Sequence, residues 1–431
     1  MMHEIKSFDQ LVDHIYHRLL AADTHASVYS SLSSKDFSYL NVSDDEVEVS
    51  LRLGASFSSG EAVGRLFLAS TIGTFLATSS FPKNWRQKAM SVANYYGDTL
   101  LVRSIANGGD LEFEEKLLVA KSLKSDGDSS LAESIYKDCI NWAALSGDNY
   151  LQAYGLLMYA KLCDHAPVRY GWHRALHSIA YNRFLVLSQS DDLFQSSKQR
   201  RWMQISADSE AVLRHRYDSA PSSEVDLLFE KALRLCDNED SRKRINASRA
   251  VVQIQRACSG NFGYNHNTAN IALEELQESV RWADENGNER ASYVRLGWFL
   301  REARRVKCRR LESSKTSDTS WSFDSIVDSA EEIANKLVSV ATRFSDPEHA
   351  AAAVIEAAEW RKIRLSIAGT MHPRECERLL PLYQQGLEIL GDHPERYPNY
   401  YSELLRGSAS QPRTLLKSMK NLSRNRNQAN G

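Results

Sequence analysis

Two histidines four residues apart, His173 and His177, have the most chemically specific spacing in the chain. Residues i and i+4 share one face of a helix, so two imidazoles placed this way can hold one metal ion. A His-Glu-x-x-His metalloprotease needs glutamate directly after the first histidine, and Arg174 stands there. His14 and His17, with Asp13 beside them, repeat the theme without a third ligand. The expectation is ordinary core or surface histidines for the first pair and solvent exposure for the second, with no metal bound. Gly54, Gly60 and Gly64 fit no phosphate-cradling spacing. The G-x-S-x-G turn that presents a serine nucleophile is also missing. No catalytic, cofactor-binding or metal-binding residue is nominated, and no cofactor is expected.

The remaining chemistry is positive charge. Residues 301–310 (REARRVKCRR) hold six cations, among them Arg301, Arg304, Arg305, Lys307 and Arg309, against one glutamate. Arg242, Lys243, Arg244 and Arg249 form a second group, and Lys198, Arg200 and Arg201 beside Trp202 a third. Arg406, Arg413, Lys417, Lys420, Arg424 and Arg426 follow at the C-terminal end. On stacked helices such groups could align into one basic stripe, which would attract phosphate backbone or an acidic protein. The contrary expectation is that they are solvated faces paired with nearby Asp and Glu.

These side chains need elements to hold them. The chain has 431 residues, 42% hydrophobic and 25% charged, with a formal net charge of −2. That is a globular composition without a strong overall field. The six cysteines, Cys139, Cys163, Cys236, Cys258, Cys308 and Cys376, include no C-x-x-C pair and read as free thiols of a reducing compartment, here the cytoplasm. Residues 1–10 lack a basic stretch leading into an apolar one, so no signal peptide is expected. Residues 66–82 are uncharged but short and rich in Ser and Thr, which suits a buried helix rather than a membrane span.

A pattern recurs from residue 131 onward. Tyr136, Cys139 and Ile140 form a triplet of large, small and aliphatic residues at helical spacing. So do Phe229, Ala232 and Leu233, then Leu276, Ser279 and Val280, then Tyr383, Gly386 and Leu387. A small residue between two large ones lets a neighbouring helix approach while the large ones fill the space beside it. The intervals are 93, 47 and 107 residues, so two further copies are expected between. Weaker triplets occur there, at His177, Ala180 and Tyr181 and at Ile326, Ser329 and Ala330. Trp142-Ala143 before Gly147 is matched by Trp282-Ala283 before Gly287, and an apolar helix follows each, which predicts helix, tight turn, helix.

Residues 224–238 (EVDLLFEKALRLCDN) resemble the second helix of a tetratricopeptide repeat, and Leu296-Gly297 resembles that family's Leu-Gly pair. The resemblance covers about 129–406. It implies an all-α solenoid of about six helical hairpins and a protein or peptide bound on the concave face. The expected organisation is a mainly helical region at 1–128, the array at 129–406 and a basic, disordered tail at 407–431. Within 1–128, helices are expected at 7–22, 60–78, 84–106 and 111–124, and a strand at 46–53, where EVEVSLRL alternates. Residues 260–268 and 312–320 read as loops. The expectation for function is a non-enzymatic scaffold or adaptor with a protein partner. The alternative is a nucleic-acid-associated factor working through the basic groups.

Overall fold

The structure is a computed structural model. It describes residues 87, 90, 94, 99–106, 110–163, 173–188, 197–259, 264–312, 321–343, 346–370, 373–391 and 397–409. The expectations for 7–22, 46–53, 60–78 and 66–82, for His14 and His17, for the glycines at 54, 60 and 64, and for the tail from 410 lie outside these residues. Among the described residues every regular element is an α-helix. None of these helices is long and apolar enough to cross a membrane.

The chain divides into two compact units, Met1–Ser146 and Gly147–Gly431. In the first, α1 (Thr99–Ala106) packs on α2 (Phe113–Ser125), and α2 packs on α3 (Ser129–Leu145). The buried faces bring Leu117, Ala120 and Leu123 of α2 and Ala132, Tyr136, Cys139 and Ala143 of α3 out of water. Burial pushes the Cys139 thiol up to about 11, so it stays protonated.

The second unit is built from α4 (Asn149–Cys163), α5 (His173–Leu187), α6 (Ser197–Tyr217), α7 (Ser222–Arg234), α8 (Glu239–Cys258), α9 (His266–Glu285), α10 (Glu289–Glu312), α11 (Ile326–Arg343), α12 (Pro347–Ala368), the single turn α13 (Pro373–Glu377), α14 (Leu380–Leu390) and α15 (Pro398–Ala409). Apart from the short α13, each helix packs on the next in sequence. In addition α4, α6, α8, α10, α12 and α15 touch one another in succession, whereas α5, α7, α9, α11 and α14 make no comparable contact among themselves. The helices therefore form two rows. The first row is closely spaced and the second is splayed, which bends this unit with the first row on the inside. The unit is an α-solenoid of stacked helical hairpins.

Two helices of the inner row, α4 and α12, are buried nearly all round: Ala153 to Ala160 of α4 are buried without interruption, as are most residues from Ala350 to Trp360 of α12. A helix of that kind has to be covered on every side. Outer helices are amphipathic and keep a wet face; α7 exposes Leu227 at 63% and α9 exposes Ile271 at 53%.

The recurring triplets of this unit all fall on outer helices, at one structural position. Phe229 and Ala232 lie on α7, Leu276 and Ser279 on α9, and Tyr383 and Gly386 on α14, all buried. The weaker copies lie on α5 and α11. In the α11 copy Ala330, not Ser329, is the fully buried small residue, so that triplet is out of register by one. At each small residue an inner helix comes close. Ser279 Oγ donates to the Lys243 carbonyl of α8 at 3.1 Å, and a Cβ on Gly386 would run into the Leu404 side chain of α15.

The turns also repeat. Gly147 (φ +73°) and Gly287 (φ +66°) take the left-handed conformation that ends a helix without a side-chain clash. The next residue then caps the following helix: Asp148 Oδ1 accepts from Leu151 N at 2.9 Å, and Asn288 Oδ1 accepts from Ala291 N at 3.2 Å.

Some boundaries differ from the sequence reading. The expected loop at 260–268 ends early, because Asn265 caps α9 by accepting from Thr268 N at 3.1 Å and helix begins at His266. Glu312 closes α10 rather than opening a loop. Helix α15 continues past residue 406 to Ala409, since Gly407 is buried against Tyr383. Cys236 lies just beyond the end of α7, and Cys376 falls within α13.

Candidate functional site

The inner row encloses a cavity of about 590 Å³ in the second unit. Helix α10 supplies its central wall. Gly297, Arg301 and Arg304 stand at i, i+4 and i+7, one face of that helix, with Trp298 beside them. A Cβ on Gly297 would meet nothing within 4 Å, so the missing side chain leaves room in the cavity itself. Val212 and Arg216 enter from α6, Glu348, His349 and Glu356 from α12, and Asn399, Tyr400 and Glu403 from α15.

Ion pairs hold these walls in place. Arg304 grips Glu356 through two parallel bonds, Nε to Oε2 at 2.7 Å and Nη2 to Oε1 at 2.9 Å, tying α10 to α12. Burial works against the Arg304 charge, but the adjacent Glu356 outweighs it and holds the guanidinium firmly protonated. Glu302 is fully buried and accepts from Arg301 Nε at 3.2 Å, Arg305 Nε at 2.8 Å and Gln255 Nε2 at 3.2 Å, which joins α8 to α10. At the start of α12, the Asp346 carboxylate accepts from Tyr293 Oη at 2.8 Å and from His349 N at 3.2 Å, and lies 3.0 Å from His349 Nδ1. Burial opposes both charges there, yet their mutual contact lowers Asp346 and raises His349. Trp360 Nε1 donates to the Leu300 carbonyl at 3.2 Å, a further tie between α10 and α12.

Several lining groups are surrounded by protein and still reached by water. Arg301 keeps 38% of its side-chain surface accessible and His349 32%, although protein encloses both. A group on the floor of a concavity behaves this way. Burial, then the nearby Glu348, pushes the Tyr400 hydroxyl up to about 12. Burial, then the Glu359 carboxylate, raises Glu403.

Of the described basic residues singled out by sequence, only Arg301 and Arg304 reach the cavity. Arg305 is spent on Glu302, Lys307 pairs with Asp324 and lies over the Trp321 ring, and Arg309 pairs with Glu312 at 2.8 Å. Arg242 lies 3.8 Å from Glu239 and Lys243 3.5 Å from Glu278. Arg244 acts on the buried Asp208, lowering a carboxyl whose burial raises it. Trp202 of the third group packs against Tyr154 in a tilted arrangement, with ring centroids 4.2 Å apart. His173 and His177 are both buried on α5, and His173 packs edge-on against Tyr217. Among the described residues no group of three or more His, Cys, Asp or Glu could hold a metal ion.

Sequence reasoning missed Arg216, Trp298, His349, Tyr400 and Glu403. They come from four helices spread over nearly 190 residues, and none has a local motif. The signals that did fall at the cavity were Gly297, through its Leu-Gly pair, and the basic cluster holding Arg301 and Arg304.

No protein family model matches this chain. No curated protein matches it either. Among solved structures, a protein described as a circular tandem repeat protein with novel repeat topology and enhanced subunit contact surfaces is similar at 14% identity over 98% of this chain and 96% of that one, with a TM-score of 0.23. The helical repeat described above therefore stands on this chain's own packing.

Proposed function

We propose that the chain is a non-enzymatic scaffold or adaptor of tetratricopeptide-repeat type, receiving a protein partner on the inner face of its second unit. The observation that carries this reading is the inner row itself. Five successive helices, α6, α8, α10, α12 and α15, present polar and aromatic side chains to one concave, solvent-reached surface. Repeat arrays use such surfaces for extended recognition. A protein partner is favoured over nucleic acid because the basic residues of α8 and α10 mostly face carboxylates of the same chain, which reduces the field they offer to phosphate. The cytoplasm suits the free thiols Cys139, Cys163, Cys236, Cys258 and Cys308, with burial pushing Cys258 up to about 11.

The test is affinity capture of the tagged full chain from its native cell after nuclease treatment. Two inner-face variants, Arg216→Glu and Trp298→Ala, are compared with an outer-face variant, Leu227→Ser. A partner that binds wild type and Leu227→Ser and is lost from both inner variants supports the reading. A partner lost from Leu227→Ser but retained by the inner variants overturns it.

A further inference from the structure

The cavity is lined by charged groups of both signs whose hydrogen-bonding capacity the protein uses only in part. Arg301 uses Nε on Glu302, and its two terminal nitrogens have no partner among the described residues. Arg216 is exposed and makes no ion pair among them. Both belong to the α6 and α10 part of the lining. Across the arc of inner helices, α15 contributes Glu403. Its neighbours Glu356 and Glu359 are engaged, the first by Arg304 and the second by Lys362 Nζ and Tyr383 Oη, while Glu403 itself has no partner among the described residues. Trp298 and Tyr400 also line the cavity, and neither the indole N–H nor the phenol has a bonding partner among the described residues.

Arg216 and Glu403 are exposed, so water meets them, and a ligand of matching charge can take the place of that water. A purely anionic ligand would satisfy Arg216 and Arg301 and be repelled by Glu403. A purely cationic one would fail the other way. A molecule with an ammonium and a carboxylate satisfies both, and its apolar part can lie on Trp298, Tyr400 and Ile355. The volume of about 590 Å³ lies in the range of small-molecule sites. We infer that the inner cavity is a binding site for a zwitterionic ligand, an amino acid or short peptide with free termini, whose carboxylate meets Arg216 and Arg301 and whose ammonium meets Glu403.

The inference goes beyond the partner reading. It is tested without any partner, so its failure leaves that reading standing. The full chain is dialysed to equilibrium against the twenty amino acids and, separately, against a pool of tripeptides with free termini, and retained molecules are identified by mass spectrometry. Retained compounds are then titrated by calorimetry alongside their N-acetyl and C-amide forms. The expected result is retention with Kd below about 1 mM and at least a tenfold loss on blocking either end. Retention from the first pool alone identifies an amino-acid site, and from the second a peptide site. Arg216→Gln should weaken the free compound at least fivefold and leave the C-amide form unaffected. Glu403→Gln should weaken the free compound similarly and leave the N-acetyl form unaffected. A merely structural role of either residue would not produce that crossed pattern, and neither variant removes an internal ion pair. No retention from either pool, or equal affinity for doubly blocked compounds, overturns the inference.

Discussion

Gly386 lacks a side chain because Leu404 fills the space where a Cβ would go, and Gly407 stands in the same relation to Tyr383. The two glycines let α14 and α15 interlock at close range. Gly386→Ala is therefore expected to destabilise the protein by about 1–3 kcal/mol, in spite of alanine's better helix propensity, as read from the urea midpoint. A stabilised variant would show that Leu404 moves aside freely. The Arg304–Glu356 pair makes a different forecast. Glu356 is 7% exposed in its side chain and Arg304 24%, so removing one partner leaves a charge poorly hydrated. Glu356→Ala should cost about 3 kcal/mol, whereas Arg304→Met combined with Glu356→Leu should be close to neutral; thermal unfolding of the three proteins decides it. At this scale sequence was legible where packing is local. The triplet at Tyr383, Gly386 and Leu387 could be seen in five consecutive residues because it serves one helix face. Arg301 and Arg304 could be seen as charges, but their meaning depends on partners such as Glu356, 52 residues away, and nothing in a linear reading brings those together.

Among the elements, periodicity carried most of the information. Outer helices have one wet face, so their apolar residues recur at three and four, and α7, α9 and α14 were readable. Inner helices α4 and α12 are covered on all sides, and their continuous apolar runs identify burial without giving a direction. The inner lining escaped because its residues come from helices far apart in the chain and share no local motif. The turns were more transparent, because a left-handed residue followed by a capping side chain has a fixed chemistry. Gly287 (φ +66°) before Asn288 gives a direct check. Gly287→Ala should lower stability by about 1 kcal/mol, and Asn288→Ala by about the same for the lost cap, both measured by thermal unfolding. The helix ends mispredicted at 260–268 and at 406 have related causes. Asn265 was counted as loop composition although it is the cap, and the Arg- and Ser-rich tail concealed a last turn held by Gly407 against Tyr383.

For the second unit as a whole, each helix depends mainly on its neighbours, so its stability accumulates along the stack. The last helix of such a stack shields what precedes it. Ending the chain after Gly391 would remove α15 and with it the buried Leu404, uncovering Tyr383 of α14 and one flank of α12. The truncated protein should unfold at a lower temperature and self-associate with rising concentration, as followed by light scattering. Unchanged melting and a monomeric profile would show that α15 is dispensable. The two rows also give the unit a mechanical character. Inner helices are in contact and cannot be pushed closer, while outer helices are separated and can spread or approach. In the language of beams, the neutral axis runs along the inner row, and bending is taken up almost entirely by the gaps outside it. A wedge inserted between α9 and α11 would therefore change the curvature more than any contact made along the inside, and the convex side is where this unit could be steered.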